Sequence, residues 1–310
     1  MKVNDERVPH YKLHKVPIDD VLTMVSINKG HLKEKDTWFL IDGKLNFFKP
    51  RNDYRIIGEL LCSDIQKSLG MNPVDYSLAY INGQLGIISE NFQEKDHCYY
   101  HVSDLYRPEI SSIKAFGDYS FKTLCDYFDA KLEDKSLLKK IKLELAQLFI
   151  VDYLTHQEDR NFKNIMFDMK VQGIEHKFGM IPSIHGRRIN DISLSKIFDN
   201  EKSFSIGRNG VYDYKLNKTW DTSFKVEPNT GVGFFDDERE IDINLLNIYM
   251  DYPELCTDFM KKIVDEFNPT EILSKYQQGN SQIIIRPNNV SYIDSLLEKR
   301  QKGIRKVLEL

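Results

Sequence analysis

The chain has 310 residues, enough to bury a large core and to form two lobes. Charged residues make up 29% and aromatic residues 12%, a balance typical of a folded globular enzyme and not of a disordered or fibrous protein. The formal charge of −4 leaves no basic excess, so nucleic acid is not expected as a direct partner.

Targeting and redox features favour a cytoplasmic protein. The amino terminus runs directly into polar sequence, without the apolar core of a signal peptide. No run of about 18 apolar residues occurs, so neither a spanning helix nor a membrane partner is expected. Export as an effector by a route that needs no signal peptide stays open. The four cysteines are scattered and lack paired metal-ligand spacing, which favours reduced thiols: Cys62, Cys98, Cys125 and Cys256.

The first 92 residues are predicted to form a small, mainly β lobe. Asp42-Gly43 and Asn82-Gly83 each lie between two short apolar runs, the pattern of a hairpin with a tight turn. Between the hairpins, apolar residues recur at helical spacing over 58–69, and Gly70 is placed to end that helix. The predicted strands are 38–41, 45–49, 77–81 and 84–89.

Residues 93–310 are predicted to form a larger, mainly helical lobe, which gives an α+β fold class. The clearest helix covers 136–155, and a short strand at 165–167 follows it. Residues 168–196 are predicted as a hairpin or excursion, and the polar segment 203–238 as an extended loop. Further helices are predicted at 241–250, at 257–267 and around Ile293, Leu297, Ile304 and Leu308.

A polar loop after the clearest helix carries the chemical signal. Asp159 precedes Asn164 by five residues, and Asp199 follows later, after the apolar pair Ile197-Phe198. An Asp and an Asn in a loop more often cap or turn the backbone. However, the helix before them, the strand after them and the later Asp199 would bring three oxygen ligands together. A base and two oxygen ligands for Mg²⁺ are what phosphoryl transfer requires, so the pattern favours a phosphotransferase.

Lys49 and Glu59 are the candidate phosphate-binding pair of the small lobe. Lys49 ends a predicted strand, and Glu59 is read as beginning the next helix. A solvated edge lysine and a glutamate that stabilises a helix dipole are the ordinary alternatives. The pairing is slightly favoured because a phosphate-binding lysine belongs on a strand ahead of a helix with an acidic partner.

Other motifs are weak. The turn at 26–31 lies where a phosphate-covering loop belongs but contains one glycine. Neither a P-loop nor a Rossmann glycine pattern occurs, which argues against those nucleotide-binding classes. His97 and His101 have no second pair of ligands, so core or surface roles are favoured over a metal site.

These residues resemble the HipA-like serine/threonine kinases, most closely the compact CtkA type, which are distantly related to the phosphoinositide 3- and 4-kinase fold. The resemblance extends from about Trp38 to the carboxyl end. Its carriers are Phe47-Phe48-Lys49-Pro50, Gly58-Glu59-Leu60, Ile88-Ser89-Glu90-Asn91-Phe92, Asp159-Arg160-Asn161 with Asn164, and Ile197-Phe198-Asp199. It implies a protein-kinase-like fold with one catalytic unit, its N-lobe at 1–92 and its C-lobe at 93–310.

The resemblance also implies roles for these residues. Asp159 would accept the proton of the substrate hydroxyl, and Asn164 and Asp199 would ligate Mg²⁺. Lys49, oriented by Glu59, would hold the α- and β-phosphates of ATP. The hinge that meets the adenine would consist of Ser89, Glu90, Asn91 and Phe92.

The sequence departs from the family pattern in three places. Asn161 stands where many relatives have histidine, and Asn200 follows Asp199 where glycine is usual. The interval from Asn164 to Asp199 is long. Neither the base nor a metal ligand is lost, so an active enzyme is expected.

Relatives of this kind phosphorylate proteins, and many autophosphorylate. Some act as toxins of toxin–antitoxin pairs or as secreted effectors, so a small helix-turn-helix antitoxin is an implied partner. Two alternatives remain. One is a small-molecule or lipid kinase, although the acidic balance disfavours an anionic membrane substrate. The other is a non-catalytic kinase-like binding module, favoured by the absent glycine and the weak phosphate-covering turn.

Overall fold

The computed structural model describes residues 1–17, 19–21, 37–51, 54–93, 97–102, 121–157, 160, 164–171, 189–205 and 243–309. Asp159 therefore lies outside the described residues. The same holds for the turn at 26–31 and for nearly all of the predicted loop at 203–238.

A five-stranded sheet in the order β2-β5-β6-β4-β3 forms the amino-terminal part. Both predicted hairpins are present, and their turn residues have the positive φ that such tight turns require: 50° and 78° at Asp42 and Gly43, 52° and 81° at Asn82 and Gly83. The short β2 adds to β5 in parallel and was not predicted. The strands are β2 His10–Tyr11, β3 Thr37–Ile41, β4 Lys44–Pro50, β5 Ser77–Ile81 and β6 Gln84–Glu90.

Helix α1, Arg55–Ser68, lies between the two hairpins in the chain. It begins three residues before the predicted 58–69, and its N-cap Tyr54 makes no side-chain cap hydrogen bond. The placement of Glu59 at the start of the helix was therefore wrong, because Glu59 lies in the second turn. Its side chain is fully buried, so it is not a solvated residue acting on the helix dipole.

A second, three-stranded sheet and the remaining helices form the rest of the described chain. The sheet has the order β7-β8-β9. Its last two strands pair antiparallel where a hairpin or excursion was predicted for 168–196, although β8 begins earlier, at Met166. Helices α2 and α6 and strand β7 were not predicted. The elements are β7 Cys98–His101, α2 Phe121–Lys131, α3 Lys135–Thr155, β8 Met166–Val171, β9 Ile189–Leu194, α4 Ile243–Asp251, α5 Pro253–Asp265, α6 Pro269–Gln277 and α7 Pro287–Leu308.

One hydrophobic core runs from α1 into the helical part. The contact is also polar, because the Tyr276 hydroxyl donates to Asp64 at 2.9 Å and the Lys262 ammonium donates to the Leu69 carbonyl at 3.0 Å. Strand β1, Lys2–Val3, pairs antiparallel with β10, Ile283–Ile284, in a separate two-stranded sheet. Helix α1 is therefore anchored to the helical part, which fixes its position relative to α3.

The mixed α+β class is confirmed, whereas the lobe boundary at residue 92 stays a prediction. Cys62, Cys125 and Cys256 are buried free thiols, as expected. None of the helices in the described ranges combines the length and the apolar character needed to cross a bilayer.

Candidate active site

A cavity of about 260 Å³ opens between the five-stranded sheet and the elements that follow it. Two of the predicted site residues, Lys49 and Asp199, line it, and so do the four predicted hinge residues 89–92. Most of the remaining lining is apolar and comes from both parts of the chain: Trp38, Phe47, Val74, Ile87, Met166 and Phe198. Such a lining, with a few polar groups converging on it, is typical of a small-molecule site.

Lys49 and Glu59 are in contact, as the pairing hypothesis requires. Strand β4 carries Lys49 to the cavity, and its Nζ lies 3.2 Å from Oε1 of Glu59. Burial alone would lower the pKa of Lys49, but the carboxylates of Glu59 and Asp199 raise it above its usual value. Lys49 is therefore protonated and positively charged. Burial raises the pKa of Glu59 and outweighs the lowering effect of Lys49.

Asp199 and Glu201 bring two further carboxylates to the same ammonium group. The Lys49 Nζ lies 2.5 Å from Oδ1 of Asp199 and 2.9 Å from Oε2 of Glu201. Glu201 also accepts from Arg51 at 2.8 Å. Although burial would raise the pKa of Glu201, Lys49 and Arg51 lower it to about 2. Neither Glu201 nor Arg51 was predicted as a site residue.

The backbone at Asp199 is held in an unusual conformation. Its φ is +59°, in the left-handed region that Asp tolerates better than most residues. The Gln157 side-chain amide donates to its carbonyl at 2.9 Å, and its N–H donates to the Tyr76 hydroxyl at 3.4 Å. Because Gln157 directly follows helix α3 and its C-cap His156, the end of that helix fixes the position of Asp199.

Arg160 connects the loop after α3 to the segment around Asp199. Its guanidinium is buried and forms a two-point pair with Asp152 of α3, at 2.9 and 3.1 Å. Its Nη1 atom donates to the carbonyls of Asn164 and Phe198, at 3.0 and 2.8 Å. Asn164 and the residue before Asp199 are therefore neighbours, which agrees with the expectation that the two segments meet.

The predicted roles in the site stay predictions. Lys49, Glu59, Asp199 and the hinge residues surround or line one cavity, and Asn164 is tied to them through its backbone. Asp159 lies outside the described residues. One backbone donor of the predicted hinge is already used, because the Asn91 N–H donates to the Leu45 carbonyl of β4 at 2.8 Å. No role was predicted for Asp152 or Glu201, because neither has a local sequence signal. Arg160 belongs to the Asp159-Arg160-Asn161 motif, but its contacts with Asp152 and Asn200 were not predicted.

The residues present fit a magnesium–nucleotide complex. Carboxylate oxygens of Glu59, Asp199 and Glu201 lie within 4.8 Å of one another, and oxygen ligands of this kind suit Mg²⁺. The neighbouring cations Lys49 and Arg51 suit phosphate oxygens, and the apolar lining suits a base. His97 pairs with Asp168 at 2.7 Å, and the described residues around it form no cluster of three metal-ligating side chains.

Comparison with known proteins gives a match in structure alone. No family model matches the sequence, and no curated protein matches it. The solved structure of the proinflammatory kinase CtkA of Helicobacter pylori is similar with a TM-score of 0.58. That alignment covers 90% of this chain and 94% of CtkA at 14% identity. HipA of Shewanella oneidensis, solved with HipB and operator DNA, gives a TM-score of 0.38 at 12% identity over 97% of this chain and 74% of HipA.

The expectation from the sequence resemblance is confirmed at the level of fold. The small sheet, the helix that carries Glu59 and the helical remainder follow the architecture of a solved kinase over nearly the full length of both chains. The chain therefore has the kinase-like fold seen in CtkA.

Proposed function

We propose that the protein is an ATP- and Mg²⁺-dependent protein serine/threonine kinase of the HipA/CtkA type. The observation that carries the proposal is the Lys49–Glu59 pair, at 3.2 Å, beside Asp199 in a largely apolar cavity. A cation held by a buried carboxylate next to a metal-binding aspartate is the arrangement that kinases use to hold nucleotide phosphates. The likeness to CtkA supports the same assignment.

Each residue has a defined task in this proposal. Lys49 orients the α- and β-phosphates, and Glu59 keeps Lys49 extended into the cavity. Residues 89–92 meet the adenine. Asp159 orients the substrate hydroxyl and accepts its proton as the oxygen attacks the γ-phosphorus, while the γ-phosphoryl group leaves ADP. Asn164 and Asp199 would hold Mg²⁺, which would neutralise charge on the phosphate oxygens.

The proposed biological setting rests on the sequence resemblance to HipA-like kinases. We propose autophosphorylation in addition to a separate protein substrate, and a role as a toxin or effector. A small helix-turn-helix antitoxin is the proposed partner. The proposed location is the cytoplasm, with export as an effector as the alternative.

Labelled ATP tests the assignment directly. We expect the wild-type protein to transfer γ-phosphate to itself or to a protein acceptor. Asp159→Asn should reduce transfer by about 100- to 10,000-fold because the general base is lost. Asp258→Asn is a matched control, since it makes the same chemical change at an exposed aspartate of α5 that does not line the cavity. Equal phosphate incorporation by the wild type and Asp159→Asn would refute the assignment.

Two outcomes would redirect the proposal. Labelled phosphate on an added small alcohol or inositol lipid, with none on protein, would indicate a small-molecule or lipid kinase. No transfer, together with no rise in melting temperature at millimolar ATP and Mg²⁺, would indicate a binding module, since a ligand that binds only the folded state must stabilise it.

A further inference from the structure

Arg160 is a buried arginine whose hydrogen-bonding capacity is fully used. Its side chain is 0% exposed. It donates to Asp152 through Nε and Nη2, to the Asn164 and Phe198 carbonyls through Nη1, and to Oδ1 of Asn200 through Nη2 at 2.7 Å. A guanidinium has five N–H groups, and these five contacts match them. The side chain therefore has one defined position and no spare donor.

These contacts lie on both sides of the predicted metal ligands. Phe198 and Asn200 flank Asp199 in the chain, and Asn164 is itself the other predicted ligand. One rigid, planar group thus contacts the backbone before Asp199, the side chain after it and the backbone of Asn164. Displacing Arg160 would change the separation between the two segments.

Asn200 extends this connection to Lys49. Its backbone N–H donates to Oε2 of Glu59 at 2.8 Å, while Oε1 of the same carboxylate contacts Lys49 at 3.2 Å. Its Oδ1 also accepts from Gln66 of α1 at 3.4 Å. A glycine at this position, as the family pattern led us to expect, would keep the backbone contact but lose the acceptor for Arg160.

We propose that Arg160 and Asn200 form a positioning pair that sets the distance between the Asn164 and Asp199 segments and so tunes the metal affinity of the site. The inference rests on the proposed function for the identity of the metal-binding residues. Stability alone is a poor reason for such a group, because a buried ion pair is often replaceable by apolar residues without loss. Groups that orient metal ligands, in contrast, typically affect metal affinity strongly.

The test is Asn200→Ala, which removes the acceptor without touching Asp199. Binding of a fluorescent ATP analogue is measured with and without Mg²⁺, and phosphate transfer is measured over a range of Mg²⁺ concentrations. We expect the Mg²⁺ concentration for half-maximal effect to rise about tenfold in both assays, as for other groups that orient metal ligands. Metal-free binding of the analogue should change little, because the Lys49–Glu59 contact stays in place.

Two further variants separate positioning from folding. Gln301→Ala removes a partly buried amide of α7 that donates to three backbone carbonyls, at 2.7 to 3.4 Å, and it should lower the melting temperature without changing the Mg²⁺ dependence. Asn200→Asp keeps an acceptor for Arg160 and should restore the Mg²⁺ dependence towards wild type. If Asn200→Ala does not melt cooperatively, Asn200→Ser is used in its place, because the serine side chain is too short to reach Arg160 where Oδ1 of Asn200 accepts.

The outcomes distinguish the two proposals. A wild type that binds the analogue with Mg²⁺ but never transfers phosphate refutes the proposed function, while the binding assay still tests the positioning pair. An unchanged Mg²⁺ dependence in Asn200→Ala overturns the pair. Equal loss of binding with and without metal overturns it as well, because that result indicates a general structural role.

Discussion

Gly58 is the position at which a single methyl group most directly tests the geometry of the site. It lies in α1 next to Glu59, and the backbone of the Asp199 segment passes against it. A Cβ at Gly58 would lie 2.6 Å from the carbonyl oxygen of Asn200 and 3.0 Å from that of Glu201. These are backbone atoms, so no side-chain rotation can relieve the contact.

The magnitude follows from two opposing effects of Gly58→Ala. Replacing a helical glycine by alanine favours the helix by about 1 kcal/mol. Restoring an ordinary contact requires α1 and the Asp199 segment to separate by about 0.8 Å, and overpacking of this kind costs about 1–3 kcal/mol. The net loss of stability is therefore at most about 2 kcal/mol. Activity should fall far more, by about 100-fold, because a displacement near 1 Å misplaces the reacting groups.

Urea unfolding and phosphate transfer, measured on the same preparations, give the two quantities. Gly303→Ala is the matched control, since its Cβ would meet the Tyr153 hydroxyl, the end of a side chain outside the cavity lining. We expect the control to lose stability but to keep most of its activity. Full activity in Gly58→Ala would refute the reasoning, because it would show that the close approach of α1 to the Asp199 segment does not set the active geometry.

Three further predictions concern charge. Lys49→Met should abolish nucleotide binding and lower the free energy of unfolding by about 3 kcal/mol, because it leaves the buried Glu59 carboxylate without its cation. Adding Glu59→Gln should restore stability but not nucleotide binding. A double variant as unstable as Lys49→Met would contradict this prediction. Glu201→Gln should tighten metal-free binding of an ATP analogue about fivefold, because it frees Lys49 and Arg51 to bind phosphate. A fivefold change corresponds roughly to the free energy of one partly exposed ion pair. Weaker binding of the analogue in a fluorescence titration would contradict the prediction. Burial, with Arg300 and Lys299, lowers the pKa of His156, so the folded state binds fewer protons and loses stability as the pH falls below about 6.5. His156→Asn should flatten the pH dependence of the unfolding free energy between about pH 7 and 5, because asparagine does not titrate there and tolerates the left-handed backbone at this position. An unchanged pH dependence in urea unfolding would exclude His156 as the cause of the loss of stability.

Local rules account for the parts of the fold that were predicted. The two hairpins follow from Asp42-Gly43 and Asn82-Gly83, whose preference for positive φ acts within a few residues. The helix containing Glu59 was predicted, but its predicted start lies three residues too late, because the N-cap residue Tyr54 gives no capping signal. The strand pairs β1–β10 and β2–β5 involve two residues per strand, too few for any periodicity.

The site was predictable only where one segment carries its own signal. Lys49, the hinge and Asp199 each stand at a recognisable strand or loop position. Glu201 carries no such signal, and the motif that contains Arg160 does not indicate the partner of Arg160. Their importance arises from contacts between residues 150 and 40 positions apart, Arg51 with Glu201 and Arg160 with Asn200. Such contacts depend on the packing of α1 against the helical part, which single-sequence patterns do not contain.

The pairing of β1 with β10 has a consequence for the order of folding during synthesis. Lys2 and Val3 leave the ribosome about 280 residues before their partners Ile284 and Ile283. Leu78 and Gln282, which exchange backbone–amide hydrogen bonds at 2.6 and 3.2 Å, must wait equally long. The hairpins can form early because their contacts are local, whereas these long-range pairs close last. The small sheet can therefore form on a translating ribosome before the separate β1–β10 sheet, which pairs only after Gln282 to Ile284 have emerged.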